Sequence, residues 1–165
     1  MNLAHLHLLI NHLPIAGTIL GGFVLAYALY TKNTQTKTAA YYLLLFSTIG
    51  AIIAYLTGDS AEESVEHLQG VTKGMIDQHE DLATIALVAI CITGFLSLIG
   101  LYMVFMKNSL SRKLAKFVLF LSLVSFGLIA ATGYYGGLIR HSELSTGAAA
   151  PSANGDKEAA DHDGD

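Results

Sequence analysis

Four long apolar runs constrain this chain more than any other feature: roughly Leu8 to Tyr30, Thr38 to Leu56, Leu82 to Met106 and Leu114 to Ile139. A helix needs about 20 apolar residues, each rising about 1.5 Å, to cross about 30 Å of hydrocarbon. Each run meets or approaches that length. Lipid offers no partner to bare backbone polar groups, so such runs fold as helices. The fold class read from them is all-α, an integral membrane four-helix bundle over residues 1–143. Charge supports the reading. Only 13% of residues are charged and 53% are hydrophobic, whereas a soluble domain averages about 25% charged. A nucleic-acid partner would need a basic face, and none is visible at a net charge of −4. Cys91 stands alone inside an apolar run, with no CxxC and no CxxCH for c-type haem attachment.

The connections are unequal. Thr31 to Lys37 and Lys107 to Lys113 are short and basic, with Lys32, Lys37, Lys107, Arg112 and Lys113, and with Lys116 just beyond. The middle connection, Gly58 to Asp81, is acidic, with Asp59, Glu62, Glu63, Glu66, Asp77, Glu80 and Asp81 against Lys73. Cytoplasmic loops carry the excess of Lys and Arg. The expected topology is therefore N-out and C-out in a bacterial inner membrane, with the middle loop in the periplasm. No Lys or Arg precedes Lys32, so the first run is expected to be a retained helix rather than a cleaved signal. Ala61, Val65 and Leu68 recur at helical spacing, which predicts a short surface helix ended by Gly70. Residues 144–165, rich in Ala, Gly, Ser and Asp, bury too little to fold and are expected to form a disordered acidic tail.

The chain has seven histidines, at 5, 7, 12, 67, 79, 141 and 162. Under this topology all of them lie outside or in the outer leaflet. His12, His79 and His141 sit at the outer ends of spanning runs, at matching depth, where a bundle can gather them. Imidazole is the commonest metal ligand and a standard haem ligand. His7 and His12 lie about 140° apart on one helix and about 7.5 Å apart in height, so they do not serve one site from one face. Pro14 fits a first helical turn, with Asn11 as the expected N-cap. His5, His67 and His162 read as solvated residues.

Small residues line the helices below these histidines. Gly127, Ala130, Gly133 and Gly137 mark the last run, Ala83, Ala86, Thr93, Gly94 and Ser97 the third, and Gly17, Gly21 and Gly22 the first. Such stripes let helices pack closely, and they also leave room for a flat macrocycle. The central portions of the runs hold no Asp, Glu, Lys or Arg, which argues against an ion or proton pump but not against electron transfer. No HExxH and no nucleophile–base pairing is legible, and no independent catalytic activity is expected.

The opening Leu6-His7-Leu8-Leu9-Ile10-Asn11-His12-Leu13-Pro14-Ile15 resembles that of a bacterial membrane-protein family, domain of unknown function 2231. The resemblance lies in a histidine, four residues, then His-hydrophobic-Pro-Ile. Gly136-Gly137-Leu138-Ile139-Arg140-His141 resembles the same family's closing Gly-Gly…His motif. The resemblance implies four helices over about the first 143 residues, and haem bound through His7, His12, His79 and His141. It also implies company with cytochromes c. The reading that follows is a haem b electron-transfer protein, with one or two haems ligated by these histidines in the outer leaflet. Arg140, and secondarily Lys73, would pair with the propionates. The acidic middle loop would face a basic periplasmic partner, such as a cytochrome c or a larger respiratory complex. Two alternatives stand beside it. One is a cofactor-free assembly subunit that packs partner helices through Gly17-x-x-x-Gly21 and Gly133-x-x-x-Gly137. The other is an outer copper or zinc site that adds Glu62, Glu63 or Asp59.

Overall fold

The computed structural model describes residues 3–140. The expected tail and His141 lie outside the described residues. Six helices follow in order: α1 (Leu3–Ile10), α2 (His12–Thr31), α3 (Thr34–Leu56), α4 (Gly58–Glu62), α5 (Lys73–Phe105) and α6 (Ser111–Arg140). Among the described residues there is no strand. Four spans are long and apolar enough to cross a membrane: Leu3–Thr31, Thr34–Leu56, Lys73–Phe105 and Ser111–Ile139. The shortest, at 23 residues, is about 35 Å long at 1.5 Å per residue, which exceeds the hydrocarbon.

The spanning helices form a ring. α2 packs on α3 and α6, and α5 packs on α6 and α3. Two tight hairpins close one end. Lys32 ends α2 in the left-handed region (φ 56°), its N–H bonded to the Ala28 carbonyl. Asn33 then caps α3, its side chain accepting the Thr36 N–H at 3.0 Å. At the opposite end α1 leans on α3 and α4, so α1 and α4 cover the mouth of the bundle there.

The ends of the helices differ from the sequence reading in three places. Asn11 is not a side-chain cap: its backbone is helical (φ −59°, ψ −21°) and its side chain makes no capping bond. Its N–H still bonds the His7 carbonyl at 2.9 Å, so the first span begins at Leu3 and carries His7 within it. The third span starts at Lys73, well before Leu82. Asp77, Gln78, Glu80 and Asp81 are polar but not helix-breaking, and past Gly74 no Gly or Pro interrupts that turn. The surface helix is shorter than expected. α4 ends at Glu62, residues 63–70 run as turns and a bend, and Leu68 stays 44% exposed. Gly70 does close the segment, at φ 87°.

Toward the hairpin end Leu25, Ala40, Tyr41, Leu44, Ala115 and Val118 form one buried cluster, and Ala86, Ile90 and Ile129 form a second farther along the bundle. Toward the α1 end, buried hydroxyls join the helices. Thr18 meets Ser47 at 2.8 Å, Ser47 donates to the Pro14 carbonyl at 2.9 Å, and Thr93 meets Ser125 at 3.0 Å. In lipid such bonds hold helices together where hydrophobic driving force is absent. Phe23, Phe46, Phe95 and Phe120 point outward, each more than half exposed, as a lipid-facing band requires.

Candidate functional site

The early start of the first span places His7 within a helix at the α1 end of the bundle. His7 lies in α1, part-buried, and its Nδ1 stands 2.8 Å from the Ala54 carbonyl near the end of α3. A carbonyl only accepts, so Nδ1 carries the proton and donates it. His79 lies two turns into α5, also part-buried, and its Nδ1 donates to the Thr132 carbonyl of α6 at 3.0 Å. Its ring lies against α6 at Gly136, where an added Cβ would come within 3.0 Å of Cε1. His7 is the ionisable neighbour whose charge reaches His79. Both imidazoles lie at the α1 end of the bundle, each held by a carbonyl of a neighbouring helix.

In both rings the Nδ1–H bond fixes the tautomer and leaves Nε2 as a bare lone pair. No hydrogen bond engages either Nε2 among the described residues. Metal-bound histidines have the same form, with one nitrogen tied to a carbonyl or carboxylate and the other free for the metal.

The other candidates are placed differently. His12 is exposed, and its Nδ1 contacts the Leu8 carbonyl of its own helix at 3.2 Å. This agrees with the angular argument that His7 and His12 point apart. Lys73 is the exposed first residue of α5. Arg140 closes α6, its side chain outside the described residues. His67 is exposed and pairs with Glu66 at 3.3 Å.

Acidic groups gather at the same end of the bundle. Glu62 of α4 hydrogen-bonds Glu80 of α5. That bond first, then partial burial and the charges of Glu80, Glu66 and Asp59, holds the Glu62 carboxyl above its ordinary value of 4.5. Among the described residues no group of three or more His, Cys, Asp or Glu is arranged to hold a metal ion. A bare copper or zinc site built from Glu62, Glu63 or Asp59 with these histidines therefore finds no support here.

The small-residue stripes divide into closed and open parts. A Cβ at Gly17 would meet Ser47 Cβ at 2.8 Å, one at Gly21 would meet Leu44 Cδ2 at 2.8 Å, and one at Gly94 would meet Thr48 Cγ2 at 2.8 Å. Gly133 faces Ile15 Cδ1 at 3.3 Å. These glycines serve packing within the chain. The Gly17-x-x-x-Gly21 pair is thus spent inside the bundle rather than offered to a partner helix. Gly127 and Gly137 have nothing within 4 Å of an added Cβ, so only the α6 stripe borders open space.

A family model, Predicted membrane protein (DUF2231), matches residues 4–143. The chain belongs to this family. The matched stretch takes in the four spans, save Leu3, and every histidine except His162, so the opening and closing motifs both lie within it. No curated protein matches the chain. No solved structure matches it either.

His79 was legible as a candidate from its depth in the sequence. The carbonyl-held burial of His7 was not, because depth favoured His12. The usable signal was the absence of any breaker between Leu3 and Asn11, which carries the first helix outward past His7.

Proposed function

We propose that this DUF2231 member is an electron-transfer membrane protein that holds haem b at the α1 end of its bundle, with His7 and His79 as the iron ligands. One observation carries the reading: two part-buried imidazoles at the same end of the bundle each spend Nδ1–H on a backbone carbonyl of a neighbouring helix and keep Nε2 free. The donor set fits haem better than a bare ion. The porphyrin fills four positions on iron, so two imidazoles complete the set without a third protein ligand. When bound, haem b supplies one-electron redox chemistry.

The chain's own part is positioning and field. The carbonyls of Ala54 and Thr132 orient the rings and raise their basicity. Gly136 lets the His79 ring lie against α6, since a side chain there would meet it at 3.0 Å. Arg140, the last residue of the same helix, is the residue that would supply a cation to the propionates. The exposed carboxylates Asp59, Glu63, Glu66, Asp77 and Asp81 give this end a negative face that would steer a basic partner of the cytochrome c kind. With the basic hairpins in the cytoplasm, this face is periplasmic in a bacterial inner membrane.

The absorption spectrum of protein purified from membranes tests the reading. A Soret band and reduced-minus-oxidised bands of b type are expected. Colourless, folded protein from haem-replete cells would refute it.

A further inference from the structure

At the opposite end of the bundle, the two hairpins enclose a cavity of about 530 Å³. Its walls carry five cations, Lys32, Lys37, Arg112, Lys113 and Lys116, and no carboxylate. None of the five has an acidic partner: the one ion pair among the described residues is His67 with Glu66, at the far end. Arg112 stands close enough for its charge to act on Lys37. Lys37 Nζ donates to Ser111 Oγ at 3.2 Å, which fixes it at the seam between α3 and α6. Like charges are thus held together, uncompensated, with hydroxyl donors Thr34 and Ser111 beside them.

Lys32, in the cavity lining, and Lys107, outside it, both follow their helices at positive φ, 56° and 54°, where glycine sits freely and lysine only at a cost. The cavity opens where α2 ends and α6 begins, at the boundary of hydrocarbon and water. Tyr27, Tyr30, Tyr102 and Phe105 surround that boundary, 61% to 84% exposed, as an interfacial aromatic belt does.

We infer that this cavity is a binding site for a phosphate-bearing anion, supplied by the headgroup of an anionic membrane lipid. Ammonium and guanidinium donors match phosphate oxygens, and basic pockets between spanning helices are suited to such headgroups. The interfacial depth selects a lipid over a soluble anion, because a headgroup is delivered there by the bilayer itself.

Native mass spectrometry of the full chain in neutral detergent, titrated with phosphatidylglycerol or phosphatidylcholine, tests this. The wild type is expected to prefer phosphatidylglycerol. Lys37→Gln with Arg112→Gln should cut that preference by about fivefold per charge removed, whereas Lys107→Gln, at the same end but outside the cavity lining, should leave it intact. Lys32→Gly separates binding from folding, since it should melt higher yet prefer phosphatidylglycerol less. Equal retention of both lipids by the wild type would overturn the site. So would an equal loss from Lys107→Gln, which would mean diffuse surface charge. Tight binding of inorganic phosphate without any lipid preference would overturn the lipid assignment in favour of a soluble anion.

Discussion

Replacing Gly94 by alanine should separate α3 from α5. The new Cβ would lie 2.8 Å from Thr48 Cγ2 and 2.9 Å from Thr48 Cβ, and would collide with Oγ1 as well. Thr48 has little freedom to retreat. It is β-branched and stiff at χ1, and its hydroxyl is tied to the Leu44 carbonyl at 2.9 Å and across the interface to the Ile90 carbonyl at 3.2 Å. Overpacking of this kind costs about 1–3 kcal/mol. Loss of the interhelical bond adds about 0.6 kcal/mol, and the better helix propensity of alanine returns about 1 kcal/mol. The net loss is about 0.6–2.6 kcal/mol. Gly127→Ala is the matched control, because nothing lies within 4 Å of its added Cβ; it should gain about 1 kcal/mol from propensity alone. Reversible unfolding in mixed micelles, followed by circular dichroism, measures both. If Gly94→Ala proves as stable as Gly127→Ala, α3 and α5 are not in close contact, and the small-residue stripe on α5 is free for something else.

Further outcomes follow from single groups. Tyr41 is fully buried and its hydroxyl has no partner among the described residues, so Tyr41→Phe should be neutral or stabilising by about 1 kcal/mol; a clear loss in the same unfolding assay would expose a missed partner. Glu62 is held above its ordinary value, chiefly by its bond to Glu80, so the folded state binds more protons than the unfolded one near that pH. Stability from this group is fullest below pH 4.5 and declines as pH rises through the raised value. Melting temperature followed against pH should show that decline, and Glu80→Gln should flatten it. For topology, cysteines introduced at Glu66 and at Asn108 in a Cys91→Ser background should label oppositely with an impermeant thiol reagent in intact cells. Reaction at position 66 alone is expected from the distribution of Lys and Arg, and reaction at 108 alone would invert the orientation.

Hydropathy made the spans legible because the bilayer sets their length, and the short hairpins make α2 with α3 and α5 with α6 neighbours, while the α3–α5 and α2–α6 seams were not fixed by any connection. It did not set the helix ends. A helix leaving the membrane loses its apolar signature while keeping its hydrogen bonds, so Lys73 to Asp81 looked like acidic loop and is two turns of α5. The same effect hid the outward run of α1 past His7. The stripes were ambiguous for a different reason: Gly94 and Gly127 look alike as letters, and only the neighbour, Thr48 in one case and open space in the other, tells packing from vacancy. The basic hairpins were legible as a topology signal, but not as a cavity, since that depends on Lys37 and Arg112 meeting across α3 and α6.

The central claim rests on His7 and His79, and one set of spectra tests it most directly. Protein carrying His7→Ala, His79→Ala or His12→Ala is purified from haem-replete membranes, checked for helix content, and examined by reduced-minus-oxidised absorption. Without either imidazole, a bound haem would lack one of its two proposed protein ligands. His7→Ala and His79→Ala are each expected to abolish or strongly perturb the b-type bands, while His12→Ala, exposed and bonded within its own helix, keeps them. Intact bands in both His7→Ala and His79→Ala, with loss in His12→Ala, would contradict the account.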